Sequence, residues 1–168
     1  MNTKTSPIKI EGELQNITGE INAIFPADPD GLTFLRAPYH SQRIQSLRIG
    51  SNELTRFSTS SGAGTINQGA TGDHRTLSFN LKEGIKSGTY LFPGGAGNEL
   101  QDVVYGEIAN VEGSYNLQNL TPIEATLELE VSTDGRHLTA KRFDMTVKTH
   151  KEVTLTIKAD FDIYLAIE

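Results

Sequence analysis

The chain of 168 residues contains no cysteine. That absence excludes a disulfide framework, a thiolate metal site and a cysteine nucleophile together, and it leaves the redox compartment open. Cationic side chains are also in deficit. Lys and Arg number 15 against 21 Asp and Glu, giving a formal charge of -6 at pH 7. Nucleic-acid affinity rests on clustered Lys and Arg, so nucleic acid is not an expected partner. Long apolar runs are missing as well. The opening MNTKTSPIKIEGEL lacks the run that a signal peptide needs, and no segment approaches the roughly 20 apolar residues of a membrane span. The expectation is one soluble domain over residues 1–168, cytoplasmic or exported without a visible signal peptide. A chain of this length can bury a core without a disulfide or metal.

Motifs that carry chemistry are absent too. There is no G-x-S-x-G, H-E-x-x-H, Walker or EF-hand pattern, and neither GAG nor PGGAG leads into the helix that a phosphate cradle requires. His40, His74, His137 and His150 lie far apart with no ligand spacing, so no metal site and no cofactor is expected. Asp28 and Asp30 before Gly31 match the opening of a calcium loop, but the later ligands are missing and a turn is the simpler reading. Asp160 and Asp162 would share one face of a strand at roughly 7 Å, a spacing also used by hydrolytic carboxylates.

What the sequence does contain is alternation. Val153, Leu155, Ile157, Ala159, Phe161, Ile163, Leu165 and Ile167 are apolar at every second position. All eight fall on one side of an extended strand, whereas helical spacing would scatter them. Fifteen extended residues span roughly 50 Å, so a bend is expected near residues 159–162. Earlier, Ile8, Ile10 and Leu14 hold one parity and Ile17, Ile21, Ala23 and Phe25 the other, which implies a bulge or a tight connection near Gln15 and Asn16. A short strand is expected at residues 32–37, and irregular structure or one helical turn at 41–50. A strand should follow near 53–57. Residues 58–72, uncharged and rich in Ser, Thr and Gly, read as a long mobile loop.

Leu77, Phe79 and Leu81 followed by Lys82, Glu83 and Gly84 predict a hairpin in which Leu81 opposes Ile85. Shorter strands are expected at 103–109 and 113–117, with Tyr105 and Tyr115 half-buried. The clearest hairpin turns at Asp134-Gly135 and pairs Val131 with Leu138 and Leu129 with Ala140. Continuing that register sets Leu127 against Arg142, so a bulge at Lys141 to Arg142 is predicted. It restores Leu127 to Phe143, Ala125 to Met145 and Ile123 to Val147. A loop at 149–151 would then feed the last strand with Val147 opposite Val153.

These patterns predict an all-β fold: an antiparallel, jelly-roll-like β-sandwich of about nine to eleven strands, with a closed β-barrel as the alternative. Its core should hold Leu77, Phe79, Leu81, Leu127, Leu129, Phe143, Met145, Leu155, Ile157 and Phe161. With no catalytic constellation and many polar loops, the favoured function is a non-enzymatic module that recognises a glycan or a protein through its loops. Its ligand-binding residues would be Asp28, Asp30, Tyr39 and His40, which offer an aromatic face, carboxylates and an imidazole to a polar ligand. The alternatives are a hydrolase with carboxylate or histidine groups gathered by folding, and a membrane-inserting pore former built on residues 58–72.

Overall fold

The computed structural model describes residues 15–26, 38–49, 53–62, 74–94, 97, 99–149 and 151–165. These residues form ten strands: β1 Gln15–Ile24, β2 Tyr39–Ser41, β3 Arg43–Ile49, β4 Leu54–Gly62, β5 His74–Lys82, β6 Gly88–Phe92, β7 Leu100–Val111, β8 Ser114–Val131, β9 His137–Lys148 and β10 Thr154–Tyr164. All pairings are antiparallel. The hydrogen-bonded order is β10-β9-β8-β7-β5-β4-β3-β1, and β1 returns to β10. The ring is therefore a closed barrel of eight strands, with β2 and β6 as additions beside β1 and β8. This is the barrel alternative, not the expected jelly-roll-like sandwich. Closure removes the open edges that two separate sheets would keep, and unpaired edges are sites of unwanted association.

Two strands turn the corners. β1 pairs with β3 through Gln15 to Ile17 and with β10 through Thr18 to Ile24. β8 pairs with β7 through Ser114 to Leu120 and with β9 from Thr121 onward, its register slipping between Pro122 and Glu124. Long strands that bend in this way hand the chain from one wall of a barrel to the other. A second bend lies where β8, β9 and β10 run together. The register shifts between Glu128 and Leu129 against β9, and between Ala159 and Phe161 on β10. Both irregularities coincide at Lys141 and Arg142, where the sequence requires an extra residue to keep Leu127 opposite Phe143 and Ala125 opposite Met145.

The barrel is filled rather than hollow. Phe79 of β5 stacks between Phe57 of β4 and Phe161 of β10, at centroid distances of 5.4 and 5.3 Å, and meets Phe143 of β9 edge-on at 5.1 Å. Around them Leu77, Leu81, Leu127, Leu129, Met145 and Ile157 are buried, and Leu155 is partly buried. Nine of the ten predicted core residues are thus buried, and the core extends beyond them to residues such as Ile21, Tyr39, Phe57 and Tyr105.

Several local expectations are corrected. Residues 41–50 contain no helical turn in their described part: β2 and β3 run there, broken only at Gln42. β5 does not form a hairpin with β6. Both of its edges are taken, by β4 and β7, and β6 pairs with β8 instead. The tight turn itself is present, with Gly84 at φ +69 and the Ile85 N–H donating to the Lys82 carbonyl at 3.2 Å. The strands expected at 113–117 and 123–131 are one strand, β8, which begins at Ser114 after a turn at Gly113. Its partner to Val147 is Pro122, not Ile123, because of the slip at the corner. The β9–β10 connection is longer than expected, and Val147 pairs with Leu155 where Val153 was predicted. Tyr105 is wholly buried. β4 extends into the Ser/Thr/Gly stretch as far as Gly62. The rest of that stretch, residues 63–72, and the strands expected at 8–14 and 32–37, lie outside the described residues.

Candidate functional site

Of the four predicted binding residues, Asp28 and Asp30 lie outside the described residues. Tyr39 and His40 are neighbours on β2 and face opposite sides of it. Tyr39 points into the barrel and is 1% exposed. Its O–H donates to Thr59 Oγ1 at 2.6 Å, and Thr59 in turn donates to the Leu77 carbonyl at 2.8 Å. Burial pushes the Tyr39 phenol up to about 12. His40 is on the outside, where its Nδ1 donates to Asn22 Oδ1 at 2.6 Å and Asn22 Nδ2 donates to Asp160 Oδ1 at 3.1 Å. That chain ties β2 and β10 to the two sides of β1. It does not converge with Tyr39.

Near Tyr39 the barrel interior is polar, which alternation of apolar residues did not disclose. Arg75 lies 5.3 Å from the Tyr39 ring centroid and 5.6 Å from that of Phe25, and donates to the Pro38 carbonyl at 2.8 Å. Directly across the ladder from Arg75 is Glu107, which is 0% exposed. Tyr105 O–H donates to Glu107 Oε2 at 3.0 Å. Burial first, then the Glu107 carboxylate, holds the Tyr105 phenol far above its ordinary range. A buried cation and carboxylate survive only when their hydrogen bonds are made, so this cluster is a satisfied part of the core. Close by, burial and then the Arg43 charge lower the pKa of His74.

Folding does gather one histidine with a carboxylate. His137 Nε2 lies 2.7 Å from Asp162 Oδ1, and the imidazole stacks on Tyr164 with centroids 4.0 Å apart. Thr139 Oγ1 is 3.2 Å from the same Nε2. A nucleophilic triad needs the carboxylate on one ring nitrogen and the hydroxyl on the other. Here both meet one nitrogen, so the geometry positions a ring between two strands and does not activate Thr139. No cluster of three or more His, Asp or Glu that could hold a metal occurs among the described residues.

A concave feature lies at the end of the barrel away from Tyr39, where the β5–β6 turn, the β8–β9 turn and the segment after β10 meet. The Leu165 N–H donates to the Arg136 carbonyl at 2.8 Å and ties that segment to the β8–β9 turn. Between these elements lies a cavity of about 520 Å³, floored by Phe57, Leu81, Ile85, Val131, Leu138 and Leu165. Thr55, Lys82, Glu83, Lys86, Ser132 and Thr133 form its polar lining. Such a volume, with an apolar floor and a few polar groups, suits a small ligand. The lining comes from four separated stretches of chain, residues 55–57, 81–87, 131–138 and 165, so no local motif announces it. The phase of β4 and β5 and the two Gly turns were the only sequence signals. Comparison with protein-family profiles, with curated proteins and with solved structures finds no match to this chain.

Proposed function

We propose that this protein is a non-enzymatic binding module whose ligand is a small molecule with an apolar body, held in the turn-lined cavity at one end of the barrel. The observation that carries this reading is the cavity of about 520 Å³ whose floor is apolar while its rim is built from turns. The turns are held by the strands beneath them. Gly135 N–H donates to the Ser132 carbonyl at 2.9 Å, and Ser132 N–H to the His137 carbonyl at 2.9 Å, so the β8–β9 rim is set before a ligand arrives. A preformed site loses less ordering entropy on binding. A glycan platform at Tyr39 is less favoured, because that ring is 1% exposed, with its hydroxyl on Thr59 and the Arg75 guanidinium over its face, and offers no open aromatic face.

Thr55 stands two residues before Phe57 on β4, half-buried in the cavity wall, and gives the test. Thr55→Trp should fill the site. A neutral apolar fluorophore, N-phenyl-1-naphthylamine, should bind the parent with enhanced emission, and the variant at least about tenfold more weakly, a loss of about 1.4 kcal/mol. The thermal midpoint should stay close to the parent's. Equal affinity of parent and variant would place the binding elsewhere.

A further inference from the structure

We infer that the cavity selects an amphipathic carboxylate, with the tail on the Phe57, Leu81 and Leu138 floor and the carboxylate at Lys82 and Lys86. The inference rests on the binding reading above and adds the charge of the ligand. Lys82, Glu83 and Lys86 are the ionisable side chains among the lining residues. Glu83 is already neutralised: Arg48 Nε lies 2.6 Å from its Oε1, and Nη2 donates to Oε2 at 3.0 Å. Neither Lys82 nor Lys86 has an ion-pair partner among the described residues. Among the described residues the rim therefore carries two cations without counterions, in a chain whose formal charge is -6.

The turn sets where those cations stand. Gly84 at φ +69 and the Ile85 N–H to Lys82 carbonyl bond at 3.2 Å fold the chain so that Lys82 and Lys86 flank the same bend. Two of the hydroxyls nearby are engaged. Ser132 Oγ donates to Asp134 Oδ1 at 2.5 Å and accepts from the His137 N–H at 3.0 Å, while Ser87 Oγ accepts from the Val131 N–H at 2.8 Å. Asp134 also accepts from the Arg136 N–H at 3.1 Å, and these bonds, that of Ser132 first, lower its pKa. Beside the Thr55 and Thr133 hydroxyls, the rim offers a ligand the ammonium donors of Lys82 and Lys86, with their positive charge. A carboxylate accepts charge-assisted hydrogen bonds from ammonium groups, and an apolar tail follows from the floor.

Three twelve-carbon competitors test this by displacement of N-phenyl-1-naphthylamine below their micellar concentrations: laurate, dodecan-1-ol and dodecyltrimethylammonium. Laurate should displace the probe from the parent at concentrations at least about tenfold lower than the alcohol, and the cation should be weakest. In Lys82→Gln/Lys86→Gln laurate should weaken until its preference over the alcohol disappears, and Lys82→Arg/Lys86→Arg should retain that preference. Both lysines are exposed, so the fold tolerates these changes. Equal displacement by laurate and alcohol in the parent, or a preference that survives the double Gln variant, overturns the carboxylate assignment and leaves the binding site standing. No displacement by any of the three overturns both. Co-sedimentation with phosphatidylglycerol vesicles, lost in the double Gln variant while free laurate has no effect, assigns the cations to a membrane surface and also overturns the inference.

Discussion

Replacing Phe79 by alanine should lower the thermal midpoint by about 6–20 °C, the equivalent of about 3–5 kcal/mol in a domain of this size. Phe79 is 0% exposed and is the one ring in contact with Phe57, Phe143 and Phe161 together. Those partners come from β4, β9 and β10, so a single side chain joins walls that are far apart in the strand order. Its loss removes the transfer energy of a large apolar group and leaves a cavity that the surrounding rings cannot fill, because they are held in a closed cylinder. Leu91→Ala is the control. Leu91 is 58% exposed on β6, and its truncation should shift the midpoint by no more than a degree or two. A Phe79→Ala variant that melts within about 3 °C of the parent would show that the aromatic cluster is not the centre of the core.

The second large effect is expected at Gly19→Val. At this corner β1 leaves β3 and meets β10, with Gly19 opposite Ile163. A Cβ placed on Gly19 would lie 2.2 Å from the Asp162 carbonyl oxygen and 2.8 Å from Ile163 Cα. Both are backbone atoms of the neighbouring strand, so no rotamer change relieves the contact. Gly19 also sits at φ +143, where a branched residue is strained. Overpacking and backbone strain each cost about 1–3 kcal/mol, which places the variant about 2–6 kcal/mol below the parent. Urea unfolding should show a much lower midpoint, with hydrogen exchange accelerated first in β1 and β10. A variant with the parent's midpoint and the parent's protection in β10 would contradict the close approach of the two strands.

Where side chains alternate cleanly, the sequence disclosed not only strands but partners. Leu127 opposite Phe143, Ala125 opposite Met145 and the extra residue at Lys141 follow from keeping apolar groups on one face, and all three are in the structure. Alternation is silent where the inner face is not apolar. β2 and β3 turn Ser41 and Ser46 inward, both buried, so the period of two is invisible there and a helical turn looked as plausible. Arg75, Glu107 and Gln118 are likewise buried polar residues at positions where alternation demands apolar ones. Pro122 marks the corner of β8, where a missing N–H does little harm at a register slip.

Closure was less legible still. It depends on β1 meeting β10 across almost the whole chain, and local periodicity carries no information about which distant strand supplies an edge. The same holds for the site. Thr55, Lys82 and Leu165 belong to different strands and turns, and only the ring of pairings brings them to one cavity. Tyr39 drew attention as an aromatic near a loop, whereas its place on β2 turns the ring inward to Thr59. The chemistry was in the composition. Its geometry was not.

The claim on which the account depends most is that β1 closes the barrel against β10 and so fixes both the core and the cavity at its end. Asn22 and Asp160 are partners in that ladder, joined on the outer surface by a side-chain hydrogen bond of 3.1 Å. Opposed residues on adjacent strands have Cα separations of about 4.5–5.5 Å, within the range a disulfide spans. The chain has no cysteine of its own, so Asn22→Cys/Asp160→Cys places two thiols on a silent background. Mild oxidation of the folded protein should give one intramolecular disulfide in nearly every molecule, read by intact mass and by the linked peptide, with thermal stability equal to or above that of the reduced form. Thiols that stay free, or that link only between molecules, would contradict the closed barrel.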